Sequence, residues 1–257
     1  MEKHQLGIVL SGGGVRGMAH IGLLKALEEH DIQPEIIAGS SAGALVGALY
    51  AYGHDFDAML EFFKTVPLFK FSFYSAVKPG LLDIDKYRVF FKDYFPENDF
   101  AALNKPLHVA TTDLDLAKSV YFNEGPLIDP LLASAALPPL FTPVDIDGRY
   151  HGDGGIMNNF PIEPIEEKCK FIIGSHVNPV KKMPNNHFTN TIRVLLRAVD
   201  LRFYAEALSK TRKCIYYFEP SELFEYNMLD IKHIDKVFEI GYQTALEEID
   251  QIKEKIA

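Results

Sequence analysis

Apolar positions along the chain fall into two rhythms that take turns. Short, mostly apolar runs at 6–10, 32–38, 107–112 and 171–177 have the length of buried strands, and shorter ones follow at 119–123 and 215–218. Between them, apolar or small residues recur every three or four positions. After Gly14 they fall at 15, 18, 19, 22, 23, 26 and 27, which predicts a helix. A second helix is predicted over 42–52 and closed by Gly53. Amphipathic helices are expected after Asp55 and after Asp83, stopped by Pro67 and Pro96. Three more are expected: over 127–136, halted by Pro138-Pro139; from 189 to about 213; and from 230 to the end. Asp147-Gly148 reads as a tight turn between short strands, the second of which leads into Asp153.

Short apolar strands alternating with helices predict a mostly parallel central sheet covered by helices on both faces, a three-layer α/β/α architecture. The 257 residues show no repeat, low-complexity tract or linker, so one domain over 1–257 is expected. Residues 55–106 have the character of a helical cap or insertion. Its middle, 68–74, alternates aromatic with small or basic side chains; it suits a pocket lining or membrane contact, or plain packing on the core.

Hydrophobic residues at 47% and charged residues at 24% place the chain among globular proteins. A net charge of −9 makes its average surface repel nucleic acid, so no nucleic-acid partner is expected. Cys169 and Cys214 offer neither a disulfide framework nor metal-ligand spacing. The apolar run at 6–10 is too short for a signal-peptide core, and the stretch 44–52 falls far below the ~20 residues of a membrane span. A cytoplasmic protein is expected, with any membrane association peripheral. Its oligomeric state is not legible.

The candidate chemistry begins with Gly39-Ser40-Ser41-Ala42-Gly43, a G-x-S-x-G pentapeptide between a predicted strand and a predicted helix. Glycines on either side permit a sharp turn that leaves the Ser41 hydroxyl exposed at the sheet edge, with the helix N-terminus behind it. Ser40, in the variable position, is assigned no chemical role. The plainer alternative is a glycine-rich turn capped by a serine. A second cluster, Gly12-Gly13-Gly14-Val15-Arg16-Gly17, fits the literal dinucleotide fingerprint G-x-G-x-x-G. That reading fails its second requirement, because the next strand runs into Gly39 and not into an acidic residue. The same glycines can instead present backbone N–H groups to a developing oxyanion, with Arg16 adding positive field or fixing the loop through carbonyl hydrogen bonds. Asp153, followed by Gly154 and Gly155, is the candidate proton acceptor that a serine nucleophile needs. Taken alone it would be a turn residue.

Together these three elements resemble the patatin-like phospholipases, which combine a glycine-rich oxyanion loop, a G-x-S-x-G elbow and a D-G-G or D-G-A motif. Ala133-Ser134, Pro138, Phe141, Pro143-Val144 and Asn158-Asn159-Phe160-Pro161 extend the resemblance, which covers about residues 6–165. It implies Ser41 as nucleophile, Asp153 as general base, and Gly12, Gly13, Gly14 and Arg16 as the oxyanion loop, with Gly39, Gly43, Gly154 and Gly155 in support. It implies a lipid acyl-ester substrate, phospholipid or lysophospholipid, and no cofactor or metal. An acyltransferase using the same acyl-serine and a catalytically silent lipid-binding or regulatory protein are the alternatives. His151, two residues before Asp153, is a weaker candidate base. His20 reads as a packing or hydrogen-bonding residue, and Asp113 and Asp115 as turn formers.

Overall fold

The run predicted at 6–10 becomes the central strand β1 (His4–Leu10) of an eight-stranded sheet. The structure, a computed structural model, describes residues 3–66, 73–75, 79–183 and 189–256. Most of the aromatic stretch 68–74 lies outside the described residues; of it, Phe73 packs edge-on against Tyr87, their ring centroids 5.0 Å apart.

Along the sheet the order is β5 (Val144–Ile146), β6 (Arg149–Asp153), β3 (Leu107–Asp113), β2 (Ile36–Ser40), β1, β7 (Cys169–Ser175) and β8 (Tyr216–Phe218), with β4 (Lys118–Phe122) paired to β3. The pairs β1/β2, β1/β7, β2/β3 and β7/β8 are parallel. Beyond β3 the pairs β3/β4 and β5/β6, joined by tight turns, are antiparallel, and so is β3/β6, whose strands are linked through β4, α5 and β5. Asp147 and Gly148, both at positive φ (53° and 78°), form the two-residue turn joining β5 to β6. Strand β2 starts later than the apolar run at 32–38 suggests. Pro34 has no N–H to give a ladder, and the chain joins β1 only from Ile36.

Alternate residues of the central strands feed two cores. Ile8, Leu10, Ile37 and Ile173 face one side, under α1 (Met18–Glu28), α2 (Ala42–Tyr52) and α8 (Ile234–Ile256). Val9, Ile36, Ala38 and Ile172 face the other, with Ile165 of α6 (Glu163–Glu166) and Ala207 of α7 (Thr191–Lys210). The result is the three-layer arrangement, with the larger core on the α1 side. The short α6, opened by Pro164, was not anticipated; four residues are too few to establish a helical period.

Several boundaries follow from local chemistry. Gly53 closes α2 at φ 101°, its N–H shared between the Leu49 and Tyr50 carbonyls. The Asp55 carboxylate accepts from the Ala58 N–H at 2.7 Å and starts α3 (Phe56–Thr65). The segment after Asp83 makes one 3₁₀ turn before α4 (Arg88–Tyr94). Both helices of the inserted region send aromatics into the main core: Phe62 and Phe91 meet edge to face at 5.3 Å. α5 (Ile128–Ser134) is shorter than the predicted 127–136, and Gly14–Gly17 winds as 3₁₀ before α1.

The most consequential feature lies along one edge of β3. Residues 107–110 pair with β2 on that edge, and residues 111–113 pair there with β6, while β4 occupies the opposite edge. Ser40 is therefore opposite Ala110, and Asp153 opposite the next residue, Thr111. Two segments more than a hundred residues apart in sequence are laid end to end on one strand.

Candidate active site

Immediately beyond β2 the chain turns through Ser41 at φ 52°, ψ −125°, a conformation that costs an L-residue about 1–3 kcal/mol. Close packing enforces the turn. A Cβ on Gly43 would sit 2.2 Å from the Leu10 carbonyl oxygen, so only glycine lets α2 leave the sheet at this angle. The Ser41 N–H donates to the Ser134 hydroxyl at 2.8 Å, and that hydroxyl donates to the Ala110 carbonyl at 2.6 Å. Ser134, at the end of α5, thus ties the elbow to β3.

Asp153 arrives at the end of β6. Its Oδ1 accepts from the Gly155 N–H at 2.7 Å, its backbone N–H donates to the Ala136 carbonyl, and its Oδ2 accepts from the Ser41 Oγ hydroxyl at 2.8 Å. A Cβ on Gly154 would meet the Ala110 carbonyl oxygen at 2.4 Å, which is why the chain can turn so tightly against β3. Burial raises the Asp153 carboxyl from the ordinary carboxylate range to about 7; the hydrogen bonds from Ser41 and Gly155 pull the other way and are outweighed.

The glycine loop lies over this pair. Its Gly12 N–H is engaged with the Asn159 carbonyl at 3.1 Å, and the Gly12 carbonyl accepts from the Asn178 side-chain amide at 2.6 Å. Among the described residues, the N–H groups of Gly13 and Gly14 find no protein acceptor, and both glycines line the cleft with Ser41. Arg16 points away from the serine. Its Nε donates to the Tyr226 carbonyl at 2.6 Å and its Nη1 to Asp200 at 2.9 Å, with the guanidinium almost wholly buried. Arg16 therefore anchors the loop to α7 and to the segment before α8.

The other candidates separate cleanly. The His20 Nε2 donates to the Ser11 carbonyl and its Nδ1 accepts from Ser175, both at 2.8 Å; burial lowers its pKa to about 4. His151 contacts Thr111 through Nδ1 at 3.0 Å and packs on Phe122, and burial lowers its pKa; it makes no hydrogen bond to Ser41. The Asp113 Oδ1 accepts from the N–H groups of Asp115 and Leu116, closing the β3–β4 turn. Cys169 and Cys214 are unpaired thiols. Sequence reasoning gave no role to Ser134, Asn159, Asn178, Asp200 or Glu206. The first two stood in recognised motifs. The others carried no local signal, since Asp200 and Glu206 are ordinary polar positions of a helix until its inward face is known.

The cleft above the pair measures about 760 Å³, open space at its mouth included. Its walls are apolar: Met18, Leu45, Phe63, Phe141, Phe203 and Met228 contribute.

A family model described as patatin-like phospholipase matches residues 8–165, which span the glycine loop, the elbow and the Asp153 turn. The chain belongs to the patatin-like phospholipase family. An uncharacterised NTE family protein of Mycobacterium tuberculosis is 35% identical over 164 residues, covering 63% of this chain and 45% of that protein. The lysophospholipase NTE1 of Scheffersomyces stipitis is 28% identical over 282 residues, covering 95% of this chain and 18% of its own length. The chain thus spans less than half the length of these curated relatives. Among solved structures, VipD from Legionella pneumophila shares the fold, with a TM-score of 0.62 at 14% identity over 98% of this chain and 67% of that one.

Proposed function

We propose that the chain is a serine acyl-ester hydrolase acting on phospholipid or lysophospholipid acyl chains through a Ser41–Asp153 dyad. The observation that carries this reading is the 2.8 Å hydrogen bond from Ser41 Oγ to Asp153 Oδ2 at the floor of an apolar cleft. In water a carboxylate is a poor base for a hydroxyl; one raised to about 7 by burial is matched to proton transfer near neutral pH. Ser41 Oγ attacks the ester carbonyl as its proton passes to Asp153. The carbonyl oxygen, now negative, takes the unengaged N–H groups of Gly13 and Gly14, which line the same cleft. Gly12 and Arg16 act one step back, holding the loop through Asn159, Tyr226 and Asp200. Asp153 returns the proton to the leaving alkoxide, and a water deprotonated by Asp153 then releases the acyl group from Ser41.

Lipid is favoured as substrate by the cleft lining, since Phe63, Phe141 and Phe203 suit an acyl chain and offer a charged small molecule nothing. A fluorophosphonate probe, read by peptide mass spectrometry, should label Ser41 in the wild type and nothing in Ser41→Ala. A folded Ser41→Ala variant that still hydrolyses a short acyl ester would overturn the assignment.

A further inference from the structure

Helix α7 has two apolar faces, and among the described residues only one is covered. The inner face packs on the site: Phe203 and Ala207 are buried, Asp200 pairs with Arg16, and Glu206 accepts from the N–H groups of Asn159 and Phe160. On the opposite face Val194, Leu201 and Leu208 recur every seventh residue, which keeps them on one line of the helix, and Leu195 lies beside them. These four are exposed by 50%, 45%, 53% and 57% respectively. A helix apolar on both sides needs a partner on each.

The charges say which partner. Residues 191–213 carry six Lys or Arg and two Asp or Glu, and Lys210 and Lys213 also pair with Glu163 and Glu166 of α6, so the stretch with these partners carries a net +2 in a chain of net −9. Both acidic side chains, Asp200 and Glu206, are committed to the inner face. Arg197, whose Nη2 also donates to the Lys181 carbonyl, falls along the outer stripe at helical spacing from Val194 and Leu201, and Arg212 follows Leu208 in the 3₁₀ turn after α7. Beside α7, Arg202 donates to the Met157 carbonyl, and Met157 and Leu229, which lines the cleft, are exposed by 41% and 48%. We propose that the outer face of α7 docks the protein on an anionic lipid bilayer, its leucines entering the acyl boundary while its arginines engage lipid phosphates. A second copy of this chain would bring the same cationic stripe against itself, which disfavours self-association through this face. The docking needs no catalysis and stands independently of the proposed hydrolysis.

Vesicle flotation with the Ser41→Ala protein tests it without turnover. Binding to phosphatidylcholine vesicles containing roughly a third phosphatidylglycerol should exceed binding to pure phosphatidylcholine at least tenfold and should weaken with salt. Leu201→Asp combined with Leu208→Asp should cut vesicle binding at least tenfold. Arg197→Glu with Arg212→Glu should remove most of the phosphatidylglycerol preference. Neither pair lines the cleft, so in the Ser41 background hydrolysis of a soluble short-chain ester should be unchanged, which separates failure of docking from failure of the hydrolase reading. Vesicle binding that is absent, or equal in wild type and the leucine pair, overturns the proposal. So does a wild-type dimer in sedimentation that the leucine pair converts to monomer.

Discussion

Replacing Asp153 by Asn should make the protein more stable at alkaline pH and inactive at every pH. The carboxyl is held at about 7 against an ordinary 3.8, almost wholly by desolvation. The folded state therefore keeps its proton where the unfolded chain has lost it, so stability is full below pH ~4, falls as pH rises toward 7, and levels off above that. At about 1.4 kcal/mol per pKa unit the total loss is about 4 kcal/mol, of which about 3 kcal/mol falls between pH 5 and pH 8. A neutral carboxamide escapes this loss, and it can still accept from the Gly155 N–H through Oδ1 and donate to Ser41 through Nδ2. For a domain of this size 1 kcal/mol corresponds to roughly 2–4 °C in Tm. The difference in Tm between Asp153→Asn and wild type should thus widen by about 6–12 °C from pH 5 to pH 8. Scanning fluorimetry of the two proteins in parallel measures it, and every other titrating group cancels in the difference. A Tm difference that stays constant across that range would refute the account of Asp153 as a desolvated carboxyl.

Three further outcomes follow from the same geometry. The kcat/KM for a short-chain ester should rise with pH to a plateau, with an apparent pKa near 7, because only ionised Asp153 accepts the Ser41 proton; a flat profile from pH 5 to 8 would contradict this. Ser41→Gly and Ser41→Ala should both be inactive, but Gly should be the more stable in chemical denaturation by about 1 kcal/mol, since it relieves the φ 52° strain that Ala retains; equal stability would show the elbow unstrained. Asp200→Ala should cost about 3–5 kcal/mol and lower esterase activity, because it strands the buried Arg16 guanidinium that anchors the glycine loop; a loss below about 1 kcal/mol would mean Arg16 does not depend on this partner.

Much of the framework was legible in residue order. The bounds of α2 came directly from apolar spacing and Gly53, and Asp55 marked the start of α3, because a left-handed glycine and an aspartate cap act within one turn of the chain. Ser41 and Asp153 were legible as motifs because the glycines beside them record tight backbone contacts that no other residue permits. Their meeting was not. It depends on β6 running antiparallel along β3, a pairing that no local pattern encodes. The direction of Arg16 was equally hidden, since its acceptors, the Tyr226 carbonyl and Asp200, lie about two hundred residues further on. Long-range partners are chosen by topology, and single-chain spacing reports only what lies within a few residues.

The shared edge of β3 has an implication for how such a site can vary. Ser40, the last residue of β2, and Asp153 are registered against neighbouring residues of one strand, Ala110 and Thr111, so the elbow that carries Ser41 starts where a β-ladder places it, beside the base. The excursions of the chain on either side of β3, the inserted region 55–106 before it and β4 to β5 after it, do not enter that register. Lengthening or rebuilding those excursions can reshape what the cleft admits while the ends of β2 and β6, and the elbow tied to β3 through Ser134, stay in register.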